Sequence, residues 1–349
     1  MFKSPKVMVA LAMLLMVMLV IAGCGTDKNA GTEGQNKPEE KVNGTNNKEA
    51  AAGNNEQSAD VRVIEHAMGK TEIKGTPLRV VTLYQGATDV AVALGVTPVG
   101  VVDSWVEEPM YLYLRDQLKD VPHVGLETQP NLEEISKLKP DLIIASKLRH
   151  EKIYDQLSQI APTVTHETVF KFKETLDLMG KAMNKEEEAA KLLADWTDRV
   201  ADFKQKIETK QGADWPIEVS VLNFRADHAR IYVTGYAGDI LNELGFTRSA
   251  SQQEEEKKGT VVLKLTSMES IPSMDADTFF IFTFDAGEED GAVQKTYDDW
   301  TGHPLWKELK AVKNDKVYMV NEVTWNNGGG IIAANKMLDE LYDHFGLAK

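Results

Sequence analysis

Apolar and polar positions divide the chain into three stretches. Every residue from Val7 to Ile21 is apolar, whereas Gly25 to Asp60 holds Val42 as its one larger aliphatic residue. From Val61 onward, short apolar runs alternate with segments of helical period. Arg79-Val80-Val81-Thr82-Leu83 predicts a strand, Tyr84-Gln85-Gly86 a loop, and Ala87 to Leu94 a helix ended by Gly95. A short strand from Val99 to Val102 follows, then a loop around Asp103-Ser104-Trp105. Asn131 is placed to cap a helix through Ile135, and Pro140-Asp141 punctuates before the strand Leu142-Ile143-Ile144-Ala145. Strand, helix, strand repetition of this kind is met most economically by buried parallel strands with crossover helices, so this part reads as α/β.

Leu192, Leu193, Trp196, Val200, Phe203 and Ile207 recur at helical spacing in a charged stretch. A helix from Glu186 to Lys210 would run ~38 Å. Its apolar stripe suits packing on one lobe, and its mid-chain position also suits a rigid strut. A second strand series follows at Ile217 to Asn223, Ile231 to Val233, Thr278 to Thr283 and Lys316 to Asn321. The expected organisation is a signal segment 1–23, a tether 24–60, a first lobe 61–172, a linker helix region 173–212 and a second lobe 213–349.

The first apolar run is a targeting signal rather than structure. At 15 residues, with Lys3 and Lys6 ahead of it, it is short for a membrane span. Cys24, the single cysteine, stands directly after Ala22-Gly23, which favours a bacterial lipobox over a transmembrane anchor or an ordinary secretory signal. The cysteine sulfur would take a diacylglyceryl group, and two or three acyl chains hold a soluble body firmly on a membrane, at ~0.8 kcal/mol per buried methylene. Residues 25–60 cannot bury enough apolar surface to offset their ordering entropy and read as a flexible tether. The expected location is the outer face of the cytoplasmic membrane.

Charge narrows the partners. Losing Lys3 and Lys6 takes the net charge from −15 to −17, and the seven acids and four lysines of the tether leave −14 on the folded part. Such a surface argues against nucleic acid and acidic lipid. No Gly-x-Ser-x-Gly, His-Glu-x-x-His or phosphate loop is present, so no catalytic residues are assigned and no enzyme is expected. The seven histidines lack paired spacing, and the acidic loop 285–290 lacks the calcium-loop pattern, so a direct metal-ion binder is the less favoured reading.

Asp89 to Val96 and Asp239 to Phe246 share a pattern at a separation of 150 residues: Asp, two aliphatics, two variable positions, Leu-Gly, then an apolar residue. Each aspartate either compensates a helix dipole or is one of two surface acids aimed at a two-part partner. Lys147 and Arg149 follow a strand and open a helix, and Arg225 and Arg230 bracket a turn after another strand. These cations are either solvated surface charge or facing halves of an anion site, since net charge is screened beyond ~8 Å. Tyr84, Trp105, Tyr236, Phe284 and Trp325 at loops and strand ends are candidate walls. Trp325-Asn326-Asn327-Gly328-Gly329-Gly330 either caps the final helix through Asn327 or offers backbone N–H groups to a ligand oxygen.

The lipobox, Thr88-Asp89 ahead of Leu94-Gly95-Val96-Thr97-Pro98-Val99-Gly100, the run from Asn131-Leu132-Glu133 to Lys139-Pro140-Asp141-Leu142-Ile143, the central helix and Gly238-Asp239-Ile240-Leu241 together resemble the class III substrate-binding lipoproteins of ABC importers. These capture ferric siderophores, haem or cobalamin. The resemblance implies two Rossmann-like α/β lobes joined by a single long α-helix, a ligand held between them, and no cofactor. It also implies a monomer that delivers its cargo to a permease dimer with its ATPase, docking through an acid on each lobe at Asp89 and Asp239. A ferric siderophore of hydroxamate or citrate-hydroxamate type, bound by Lys147, Arg149, Arg225 and Arg230 with the five aromatics, is the expected ligand. Haem, with His228 or Tyr236 as axial ligand, or cobalamin is the alternative.

Overall fold

The computed structural model describes residues 61–284 and 291–349. The signal, Cys24, the tether and the acidic loop 285–290 lie outside the described residues. An antiparallel hairpin of β1 (Val61–His66) and β2 (Gly69–Lys74) precedes the first sheet. That sheet holds β3 (Val80–Thr82), β4 (Gly100–Asp103), β5 (His123–Leu126), β6 (Gln129–Pro130), β7 (Leu142–Ser146) and β8 (Thr163–His166) in the order β6-β5-β4-β3-β7-β8. All its pairings are parallel except that of β6. Every residue of β7 is buried, which is what a parallel strand covered on both faces demands of its sequence.

The second sheet is mixed. It holds β9 (Val219–Phe224), β10 (Ala229–Tyr232), β11 (Val262–Leu265), β12 (Thr278–Thr283) and β13 (Val317–Met319) in the order β11-β10-β9-β12-β13. β9, β12 and β13 run parallel, while β10 is antiparallel to both neighbours. The cause is local: residues 225–228 make a hairpin, far too short for a crossover.

Between the sheets runs the helix Glu186–Gln211, with three glutamates in its first turn and Lys210 in its last, each favourable to the helix dipole. Its buried Trp196, Val200, Phe203 and Ile207 join one core with Val80 and Ile144 of the first sheet and Val219 and Phe280 of the second. The stripe thus packs against both halves of the fold, and the helix is a bridge as well as an ordinary amphipathic element.

The 150-residue echo is real in the backbone. Helices Gln85–Ala93 and Gly235–Glu243 have equal length, and both end on a glycine with positive φ, Gly95 at 73° and Gly245 at 94°. Val96 N–H bonds to Ala91 O at 2.9 Å and Phe246 N–H to Leu241 O at 3.1 Å, the same terminating turn. In each sheet the strand order reverses at the strand that precedes this helix or its hairpin, with β3 between β4 and β7 and β9 between β10 and β12. The crevices at the strand C-termini, after β3 and β7 in one sheet and after β9 and β12 in the other, are where open α/β sheets take ligands.

Candidate functional site

Those strand ends border a cleft of about 290 Å³. Gln85 follows β3, Glu127 follows β5 and Arg149 follows β7; across the cleft Arg225 follows β9, Arg230 lies on β10 and Phe284 follows β12. Asn326, Asn327 and Gly329, ahead of the final helix, also line it, as do the aromatic rings of Trp105, Phe170 and Tyr232. Backbone meets backbone here, since a Cβ on Gly86 would come within 2.6 Å of Gly329 O. Only glycine fits at position 86.

On the first side, the buried Glu127 carboxylate organises the cleft wall. It accepts from Arg149 Nε at 2.9 Å, from the Gln85 backbone N–H at 3.2 Å and from the Trp105 side chain. Burial pushes this carboxyl up, and the Arg149 guanidinium pulls it back. The Ser146 N–H donates to His150 Nδ1 at 3.1 Å, so the ring proton sits on Nε2 and is donated to Glu127 O at 2.9 Å. Burial also holds His150 below the usual imidazole range, in keeping with a neutral ring that ties β7 to the segment carrying Glu127. The Arg149 guanidinium lies 6.0 Å from the Trp105 ring.

On the second side, the Arg225 guanidinium lies 3.8 Å from the centre of the Phe284 ring. Arg230 Nε donates to His228 Nε2 at 2.9 Å, and His228 Nδ1 contacts Asp227. Cations from both sides therefore face one cavity in a chain of net charge −15. Two polar atoms await partners: Gln85 Oε1 and Asn327 Nδ2 are buried without a hydrogen bond among the described residues. A donor and an acceptor on a bound molecule, or ordered water, would satisfy them.

Arg149, Arg225, Arg230, Trp105 and Phe284 are thus brought together as expected from their places after strands. Other expectations are corrected. Lys147 turns to Glu167 at 2.9 Å and leaves the cleft lining to Arg149. Tyr84 is core, its hydroxyl 3.2 Å from Thr175 Oγ1. Tyr236 is buried with its hydroxyl donating to Gly330 O at 2.7 Å, and Trp325 is buried with Nε1 donating to Glu340 at 2.8 Å. None of these three is a cleft wall.

Asp89 is no surface acid. It is fully buried, accepting from the backbone N–H groups of Ile332 and Ala333 at the start of the final helix and from Tyr113 OH at 2.8 Å. The N–H groups of Ile332 and Ala333 are thereby taken by a carboxylate of the protein itself, and Asn327 does not cap that helix. Asp239, its counterpart, is part-exposed and pairs with Lys171 at 2.6 Å. Sequence reading missed Glu127 and Gln85, neither of which belongs to a local motif, and offered the Asn327 side chain only as a cap of the final helix.

Among the described residues no group of three or more His, Cys, Asp or Glu side chains is placed to hold a metal ion, and no helix is long and apolar enough to cross a membrane.

Residues 80–324 match the family model described as periplasmic binding protein. The chain is 50% identical over 273 residues to the achromobactin-binding periplasmic protein of Dickeya dadantii, covering 78% of this chain and 88% of that one. It is 42% identical over 305 residues to the probable siderophore-binding lipoprotein YfiY of Bacillus subtilis, covering 86% and 92%. The crystal structure of Staphylococcus aureus SirA complexed with staphyloferrin B superposes with a TM-score of 0.81 at 54% identity, over 82% of this chain and 99% of that one. With its two bridged α/β sheets and a cleft at their strand ends, the chain belongs to the periplasmic binding protein family.

Proposed function

We propose that this protein captures a ferric siderophore in the cleft and delivers it to an ABC permease for iron uptake. The observation that carries the reading is the convergence of Arg149, Arg225 and Arg230 from two lobes on one cavity, with Trp105 and Phe284 beside them. Guanidinium forks match carboxylate oxygens in geometry and charge, so the favoured cargo is an anionic chelate with carboxylates, of citrate or citrate-hydroxamate type. A neutral hydroxamate would offer those guanidinium groups no carboxylate. The relatives support the class: their names cite achromobactin, siderophore and, at 34% identity over 349 residues, Fe(3+)-citrate.

Haem is disfavoured by the positions of its two candidate axial ligands. Both ring nitrogens of His228 are engaged, and Tyr236 is buried away from the cleft. Iron in this reading is cargo held by the siderophore, and no cofactor is required.

Acylation at Cys24 would keep the body near its permease. For docking, Asp239 remains the acid on the second lobe. Its partner on the first lobe is better sought at Glu133, an exposed residue in the first turn of the helix Leu132–Lys137, than at the buried Asp89. Co-elution tests the proposal: gel filtration of the Cys24→Ser protein with ferric staphyloferrin B should carry iron and protein together at one to one. Elution of all the iron in the small-molecule volume, with staphyloferrin B and with citrate alike, would contradict it.

A further inference from the structure

The contact between Arg230 and His228 fixes more than one side chain. An arginine N–H can only donate, so His228 Nε2 must carry the lone pair, and the ring proton resides on Nδ1, facing Asp227 Oδ1. His228 is 5% exposed, whereas Asp227 is exposed with Lys264 3.9 Å away. Asp227, His228 and Arg230 thus form a carboxylate, imidazole, guanidinium row within four residues of one hairpin. With Nε committed to the histidine, only the terminal Nη groups of Arg230 remain for an anion.

Arg149 across the cleft is held in the same way, by its Nε, but from a carboxylate: Glu127. The acceptors differ in charge, and that difference has a consequence. Glu127 balances Arg149 locally, while a neutral imidazole leaves the charge of Arg230 undiminished. A second carboxylate in place of the histidine would orient the arginine equally well and cancel its attraction for an anionic chelate.

We propose that His228 is a positioning residue of the anion site: held in its Nδ1–H form by Asp227, it fixes Arg230 through Nε and turns the terminal guanidinium edge toward the cargo. This rests on the siderophore reading for its ligand, though not for its geometry. Two measurements on the full chain in detergent keep these apart.

The first is affinity for ferric staphyloferrin B and ferric citrate in His228→Ala, His228→Gln, Arg230→Ala and the His228→Ala/Arg230→Ala double variant. Gln offers a neutral oxygen near the Nε2 position. His228→Ala should weaken binding about tenfold and His228→Gln less than about threefold, and His228→Ala should add less than about twofold once Arg230 is gone. Affinity unchanged in His228→Ala, or an equal loss with and without Arg230, would overturn the proposal. The second needs no ligand: the ¹⁵N-edited Nε–H signal of Arg230, identified by its loss in Arg230→Ala, should be sharp in wild type and His228→Gln and broadened by solvent exchange in His228→Ala. An Nε–H signal unmoved by His228→Ala refutes the positioning role whatever binds. A signal that responds in a protein that binds neither chelate supports the positioning role and removes the siderophore reading instead.

Discussion

Ile332 donates its backbone N–H to Asp89 Oδ1 at 2.9 Å, and the two residues are 243 positions apart in the chain. Ala333 N–H reaches the other oxygen at 3.0 Å. The final helix is therefore capped by a residue of the first lobe's opening helix, next to the point where Gly86 and Gly329 touch. A carboxylate at a helix N-terminus meets both the unpaired N–H groups and the positive end of the dipole. This cap fastens the two halves of the fold near the cleft, in addition to the long helix.

Removing the cap strands those buried N–H groups and the Tyr113 hydroxyl. Asp89→Ala should destabilise the protein by about 2–4 kcal/mol, a cap loss plus unsatisfied donors. Urea unfolding followed by tryptophan fluorescence checks this; a midpoint equal to wild type would mean that water replaces the carboxylate freely.

Acidity offers a second test of the same group. Burial raises the Asp89 carboxyl from 3.8 to about 6, against the hydrogen bonds from Ile332, Tyr113 and Ala333 that lower it. For an acid raised on folding, the native state holds the proton more tightly. Its contribution to stability is whole below the unfolded value and is lost as pH rises through about 6. The stability of wild type relative to Asp89→Asn should therefore fall by up to about 3 kcal/mol between about pH 4 and 7, and be flat above. Parallel pH profiles for the two proteins would show that Asp89 does not titrate in this window.

Space at the cap is as restrictive as charge. A methyl group at Gly330 would fall on the Asp89 carboxylate, so Gly330→Ala should cost about 1–3 kcal/mol as an overpacking change. Combined with Asp89→Gly, which also removes the Cβ that a Gly330 methyl would meet, the same substitution should cost less than it does alone. Strict additivity in thermal melts would argue that the two sites are independent.

Docking is testable apart from binding. Asp239→Ala with Glu133→Ala should abolish uptake of radioactive iron by cells while leaving chelate affinity of the purified protein unchanged. Normal uptake would remove both acids from the permease interface.

Much of this architecture was legible in the sequence, for physical reasons that also explain the failures. Val80–Thr82 and Leu142–Ser146 read as buried parallel strands because continuous apolar runs have few other uses, and the stripe from Trp196 to Ile207 predicted the long helix almost to its ends. Cleft cations Arg149, Arg225 and Arg230 were found because they follow or flank strands. Periodicity cannot tell which way a loop aromatic turns, so Tyr84, Tyr236 and Trp325 were misplaced. Asp89 and Asp239 share a local backbone, but the final helix, far away in sequence, covers only the first. Glu127 carries no motif, and its role arises only where the segment after β5 reaches Arg149 and His150 after β7.

The central claim is that the cleft takes an anionic, carboxylate-bearing ferric chelate through its arginines. Tryptophan fluorescence titration of the Cys24→Ser protein against ferric staphyloferrin B, ferric citrate, a neutral ferric hydroxamate, a ferric catecholate and haem tests it directly, with Trp105 in the cleft as reporter. Saturable quenching by the carboxylate chelates, weakened about tenfold or more in Arg225→Ala and in Arg149→Ala, is the predicted result. Tight binding of haem or the neutral hydroxamate alone, or arginine variants that bind as wild type does, would contradict it.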